Sequence, residues 1–120
     1  MDADSPTLAE LAARLARFAA ERDWEPFHSP KNLSMALAGE VGELLEHFQW
    51  LTEAQSRELP PATREAVALE MADVLLYLVR LADRLDIDLA AAAARKIELN
   101  AVKYPAAEFR GSARKPDPSR

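Results

Sequence analysis

Two short carboxylate motifs in this sequence have the spacing for chemistry. Glu40 and Glu43 form an ExxE pair, and Glu70 and Asp73 form an ExxD pair. Residues three apart share a helix face, so each pair presents two carboxylates side by side. Glu40 and Glu43 flank an apolar stripe, and Glu70 and Asp73 lie inside the most hydrophobic stretch of the chain. Four carboxylates gathered in such a setting repel one another, and desolvation penalises each charge. Protonation, basic partners or a divalent cation could compensate. The donors are hard oxygens, with no cysteine and no obvious histidine set, which favours Mg²⁺ or Mn²⁺ over zinc. Such motifs also occur on solvated faces of ordinary acidic helices. The apolar neighbours of Glu70 and Asp73 weigh against that reading more than those of Glu40 and Glu43.

Two further groups could complete a site. Lys96, Asn100 and Lys103 are spaced to share one helix face. They could hold phosphate oxygens, or they could simply complement the negative end of a helix. Trp24, His28, Trp50 and Tyr77 could form a pocket for a nucleobase, whose face stacks on aromatic rings at about 1–3 kcal/mol each. Tyr77 falls one turn after Asp73, on the carboxylate face. Each has a plainer reading: Tyr77 as a half-buried tyrosine, Trp50 as core at a helix end, His28 as a surface residue. His47, one turn after Glu43, fits a supporting or an exposed role.

The elements that must position these residues read as helices. The first is expected from about Leu8 to Arg22, with Thr7 and Glu10 at capping-box spacing and Leu8, Leu11, Leu15, Phe18 and Ala19 as its apolar stripe. A loop from Asp23 to Ser29 carries Trp24, Phe27 and His28. Ser29 as N-cap and Pro30 at the first helical position open a second helix, expected to reach Trp50. Its stripe is Leu37, Val41, Leu44, Phe48 and Leu51. A polar connection ends in Pro60-Pro61. The third helix spans about Thr63 to Leu85 and is apolar nearly all round from Val67 to Leu81, the pattern of a buried central helix. Asp88 caps a fourth, Leu89 to Lys103, closed by Tyr104-Pro105. The fold class is therefore all-α, a four- to five-helix bundle. Residues 1–110 form a single domain, and residues 111–120, polar with two prolines, form a flexible tail.

Composition narrows the function. A chain of 120 residues makes one modest core and often gains stability by associating. The absence of cysteine excludes disulfides, thiolate metal sites and cysteine nucleophiles. The net charge of −5 argues against a general nucleic-acid binder, which would be basic. No run approaches the ~18 apolar residues of a spanning helix. Met1 to Pro6 lack a basic leader, so a cytoplasmic location is expected, with no membrane partner.

Taken in order, these pieces resemble a known family. Gly39-Glu40-Val41-Gly42-Glu43, followed by Glu70-Met71-Ala72-Asp73-Val74-Leu75, looks like the signature of MazG-like all-α nucleotide pyrophosphohydrolases. Phe18 to Trp24, Phe48-Gln49-Trp50, Lys96 to Asn100 and Lys103-Tyr104-Pro105 resemble its single-domain dCTP pyrophosphatase branch. The resemblance covers about Leu8 to Pro105. It implies that Glu40, Glu43, Glu70 and Asp73 hold Mg²⁺, with Mn²⁺ as a substitute. It implies that Trp24, His28, Trp50 and Tyr77 line the nucleotide pocket, and that Lys96, Asn100 and Lys103 face the phosphates. The reaction implied is hydrolysis of a nucleoside triphosphate, dCTP or a modified dCTP, to monophosphate and pyrophosphate, in nucleotide pool sanitation. The assembly implied is a homodimer or homotetramer with sites at subunit contacts. Leu15 aligns where that branch has a pocket histidine, so a difference in base preference or in affinity is expected, with the metal chemistry untouched. In the mechanism, metal neutralises developing charge and water attacks the α-phosphorus. Glu43 is the expected general base.

Two other readings compete. A non-catalytic helical oligomerisation or partner-binding module would use the apolar stripes as interfaces and need no metal. A di-iron carboxylate bundle ordinarily uses Glu-x-x-His pairs, and no histidine follows Glu40, Glu43 or Glu70 at that spacing.

Overall fold

A computed structural model describes residues 4–116, and every regular element among them is helical. The chain divides into two units, Met1–Ile87 and Asp88–Arg120.

In the first unit, α1 (Leu8–Glu21) starts where Thr7 Oγ1 accepts the Glu10 N–H at 3.1 Å. A 3₁₀ turn, Glu25–Phe27, leads to α2 (Pro30–Glu46), capped by Ser29 Oγ, which accepts the Asn32 N–H at 3.1 Å. The short α3 (Glu53–Arg57) has a reciprocal capping box: Thr52 Oγ1 accepts from Gln55 N–H, and Gln55 Oε1 accepts from Thr52 N–H. The long α4 (Pro61–Arg84) begins with proline at its first position.

α4 packs against α2 and α1. The N-terminal approach to α2, at His28, meets Arg80 and Arg84 late in α4, whereas Glu40 further along α2 meets Glu70 earlier in α4. The two helices therefore run in opposite senses. Their core is small: Ala19, Leu33, Val67, Val79 and Ala82 are buried. α1 and α4 both end in a Schellman motif. Trp24 N–H bonds to Ala19 C=O and Asp23 N–H to Ala20 C=O; Ile87 N–H bonds to Ala82 C=O and Asp86 N–H to Asp83 C=O. Asp23 and Asp86 take the left-handed positions, at φ 53° and 57°.

The second unit contains α5 (Leu89–Lys103), capped by Asp88 Oδ1, which accepts the Ala91 N–H at 3.0 Å, and α6 (Ala106–Phe109). Tyr104 and Phe109 meet edge to face at 5.2 Å, and the Arg114 guanidinium lies 4.7 Å over Phe109.

Several boundaries differ from the sequence expectation. α2 stops at Glu46, short of Trp50, as backbone bonds pass to turns at His47, Phe48 and Gln49. The expected connection to Pro60 contains α3, and α6 comes after Pro105. α4 is not buried throughout. Val79 and Ala82 are covered, but Leu69, Met71 and Leu75 are exposed, because two helices cannot surround a third that is apolar on all sides. Of the expected tail, residues 117–120 lie outside those described. No helix is long and apolar enough to cross a membrane among the described residues.

Candidate active site

The opposed run of α2 and α4 brings three of the four carboxylates together. Glu40, Glu43 and Glu70 each offer an oxygen, and these oxygens lie within 4.8 Å of one another. Oε2 of Glu40 and Oε2 of Glu70 are buried without a hydrogen-bond partner. Burial, before any other cause, pushes the Glu40 carboxyl up from 4.5 to about 7. The carboxyl oxygens of Glu43 and Glu70, which favour a shared proton, and the charges of Glu43 and Asp73 push the same way. Asp73 stands one turn beyond Glu70 on α4 and is exposed. A hard divalent cation would satisfy both orphaned oxygens and relieve the repulsion, so this donor set fits Mg²⁺ or Mn²⁺.

Asp73 also borders a cavity of about 170 Å³. Leu15 and Phe18 of α1, Leu33 of α2 and Leu76 of α4 form its apolar wall, with Trp24 and Tyr77 as its larger aromatic faces. Trp24 packs edge-on to Phe18 at 5.7 Å and to His28 at 6.2 Å. The Arg22 guanidinium covers Phe18 at 3.5 Å. His28 is held low by burial first, then by the charges of Arg80 and Arg84, so it is neutral at physiological pH. Its Nδ1 accepts from Arg80 Nε at 3.1 Å. The arrangement could take a flat ring, with Asp73 on the border between the cavity and the carboxylate cluster.

Of the residues singled out in the sequence, Glu40, Glu43 and Glu70 form the cluster. Asp73, Trp24, His28 and Tyr77 line the cavity, and so does Leu15. Trp50 is 87% exposed in the turn after α2, away from the cavity lining. Lys96, Asn100 and Lys103 lie on α5 in the second unit. His47 is the C-cap of α2. Arg80 is a cavity residue that the sequence reading missed. Its signal is a lone charge within the apolar run from Val74 to Ala82, a placement that demands a partner.

A family model described as the MazG-like family matches residues 36–116. The chain is 50% identical over 112 residues to dCTP pyrophosphatase 1 of Homo sapiens, covering 92% of this chain and 66% of that protein. It is 51% identical over 110 residues to dCTP pyrophosphatase 1 of Mus musculus, covering 90% and 65%. The chain thus spans 65–66% of the length of these relatives. The fold is similar to a crystal structure of a pyrophosphatase from Archaeoglobus fulgidus, with a TM-score of 0.78 and 38% identity over 88% of this chain and 98% of that one.

Proposed function

The chain belongs to the MazG-like family, and from that premise we propose that it is a Mg²⁺-dependent nucleoside triphosphate pyrophosphohydrolase acting on dCTP or a modified dCTP. The observation that carries this reading is the adjacency of two features. A carboxylate cluster with two unpartnered buried oxygens continues through Asp73 into a cavity walled by aromatic rings. The names of the relatives point the same way.

Glu40, Glu43, Glu70 and Asp73 would hold the cation, which when bound neutralises phosphate charge and makes water more acidic. Trp24 and Tyr77 take the base between apolar faces, which keeps water off the ring and fixes the triphosphate toward the carboxylates. Water attacks the α-phosphorus, the bond from that phosphorus to the bridging oxygen breaks, and monophosphate and pyrophosphate leave. Glu43, the exposed member of the cluster, takes the water's proton. Trp50, exposed outside the cavity, and Lys96, Asn100 and Lys103 on α5 would supply a further ring and phosphate contacts where a second copy of the chain brings them to the site. The location in this reading is the cytoplasm, and the role is nucleotide pool sanitation. The exposed Leu69, Met71 and Leu75 support assembly into a homodimer or homotetramer.

The test is pyrophosphate release from a panel of NTPs, dNTPs and 5-modified dCTPs, with Mg²⁺ or with EDTA. Release that needs the metal and favours deoxycytidine nucleotides is expected. Metal-dependent release favouring another base would keep the reaction and overturn the substrate. The exposed apolar residues also suit a non-catalytic association module. In that case no nucleotide would be hydrolysed, and none would raise the melting temperature with Mg²⁺.

A further inference from the structure

Arg80 is 4% exposed, the sole buried charged side chain among the described residues. Burying a guanidinium is costly unless its N–H groups are paired. Its Nη1 meets Asp83 Oδ2 at 3.3 Å, and its Nε donates to His28 Nδ1 at 3.1 Å. A guanidinium has donors and no acceptor. His28 Nδ1 must therefore be the bare nitrogen, and the ring proton of the neutral imidazole sits on Nε2. Arg84 fixes the same residue from the backbone side, its Nε donating to the His28 carbonyl at 3.1 Å. The Trp24 ring packs against the imidazole.

We infer that Arg80 is a positioning residue: it locks His28 in the Nε2–H form, so that the histidine offers the cavity a hydrogen-bond donor and never an acceptor. The ring selected is then one with a carbonyl oxygen or an unprotonated ring nitrogen at that edge. This selectivity rests on the reading of the cavity as the base site; the tautomer does not. The charged and titratable groups around His28 are Arg80, Arg84, Asp73 and Tyr77 on α4, with Asp83 reached through Arg80 and Glu25 in the preceding turn. α1 and α2 present only Leu15, Phe18 and Leu33 to the same cavity.

The first arm of the test is ¹⁵N NMR of the His28 imidazole in the full chain without nucleotide. The wild type is expected to show the Nε2–H form near neutral pH. Arg80→Met is expected to give mixed tautomers and an upward-shifted titration, and Arg80→Lys, which keeps a cationic donor, an intermediate result. An Nδ1–H wild type, or an unchanged tautomer in Arg80→Met, overturns the proposal. The second arm is kinetic. Arg80→Met should raise KM for the preferred nucleotide about tenfold and leave kcat within about twofold. His28→Ala should do the same, and the double variant should be no worse than either single one. Additive losses, or a loss confined to kcat, would overturn it. If Arg80→Met does not fold, Arg80→Lys carries both readings, with partial shifts expected and wild-type behaviour overturning. A wild type that hydrolyses no nucleotide defeats the proposed function, while the NMR arm still decides the role of Arg80.

Discussion

The carboxylate cluster and the aromatic cavity share α4 but are built on opposite principles. Along the cavity one polar group is tied within the chain: Arg80 holds His28, Asp83 holds Arg80, and Arg84 holds the His28 carbonyl. In the cluster like charges face each other, and two buried oxygens have no partner. That side of the cavity is finished by the protein itself, which leaves the proposed base site largely preformed. The cluster is left unfinished, and only something outside the chain, a proton or a cation, completes it. The difference separates what folding builds from what a ligand must supply. It predicts that the two halves respond differently to the same perturbations.

The largest effect is expected at the junction. Asp73→Asn should lower pyrophosphate release by about a thousandfold, since it removes a charge needed only when the cation and triphosphate are present. Circular dichroism and the melting temperature should be unchanged or slightly improved, because a like charge leaves the cluster. Activity within about tenfold of wild type would break the division proposed between the two halves. Next in size is Trp24→Ala. Loss of a stacking face should raise KM by roughly 5- to 150-fold, the equivalent of about 1–3 kcal/mol. The rise in melting temperature produced by Mg²⁺ alone should stay as in the wild type. If that rise vanished, the cavity and the cluster would be one cooperative unit.

Proton titration pulls the two halves in opposite directions. The folded state holds Glu40 at about 7 against 4.5 in the unfolded chain, so it keeps a proton that the unfolded chain has lost. Stability from this group is therefore present at low pH and is lost as pH rises from 4.5 to about 7. His28 has the other sign. Its folded form is held below 6.5, so stability is lost as pH falls through 6.5 and the unfolded chain takes up a proton. Cation binding must displace the Glu40 proton, so Mg²⁺ affinity should climb about tenfold per pH unit below about 7 and level off above it. Thermal melts of wild type, Glu40→Gln and His28→Gln across this range, with and without Mg²⁺, measure each slope. A Mg²⁺ response that is flat with pH would remove Glu40 from the ligand set.

Much of this is legible in the sequence where the physics is local. The caps Thr7, Ser29 and Asp88 hold the starts of α1, α2 and α5 as their residue types predict. The three-residue spacing puts each carboxylate pair on one face, whereas the apolar run around Glu70 is covered only in part, with Val67 buried and Leu69 and Met71 exposed. The capping box at Thr52 and Gln55 is equally local, yet the polar composition around it reads as a connection and hides α3. Other features need tertiary contact. Nothing in the spacing of Glu40 and Glu70 states that α2 and α4 run opposite ways, and Arg80 reaches its histidine across 52 residues. The apolar stripe carries the expected second helix on to Trp50, but α2 releases its backbone before reaching it, and one chain leaves the ring almost wholly exposed. The Schellman ends are hidden for a third reason. Asp23 and Asp86 occupy positions that usually announce themselves as glycine.

Those two aspartates give the smallest test, and the one with an internal control. Each sits at the left-handed position of the same motif, at φ 53° and 57°, with the same pattern of hydrogen bonds closing its helix. Aspartate tolerates this conformation better than most residues, whereas a β-branched side chain does not. Asp23→Val and Asp86→Val should each cost about 1–2 kcal/mol of stability, read by urea denaturation. Their functional effects should differ because the two turns deliver different side chains. Next to Asp23 stands Trp24, whose N–H completes the motif and whose ring walls the cavity; next to Asp86 stands Ile87, exposed and absent from it. Asp23→Val should therefore raise KM several-fold and leave the Mg²⁺-induced melting shift unchanged, while Asp86→Val should change neither. Equal KM values in the two variants would mean that the cavity does not depend on how α1 ends. A loss of the Mg²⁺ shift in Asp23→Val would mean that strain at the turn reaches the carboxylates, and the contrast between a finished and an unfinished half would fail.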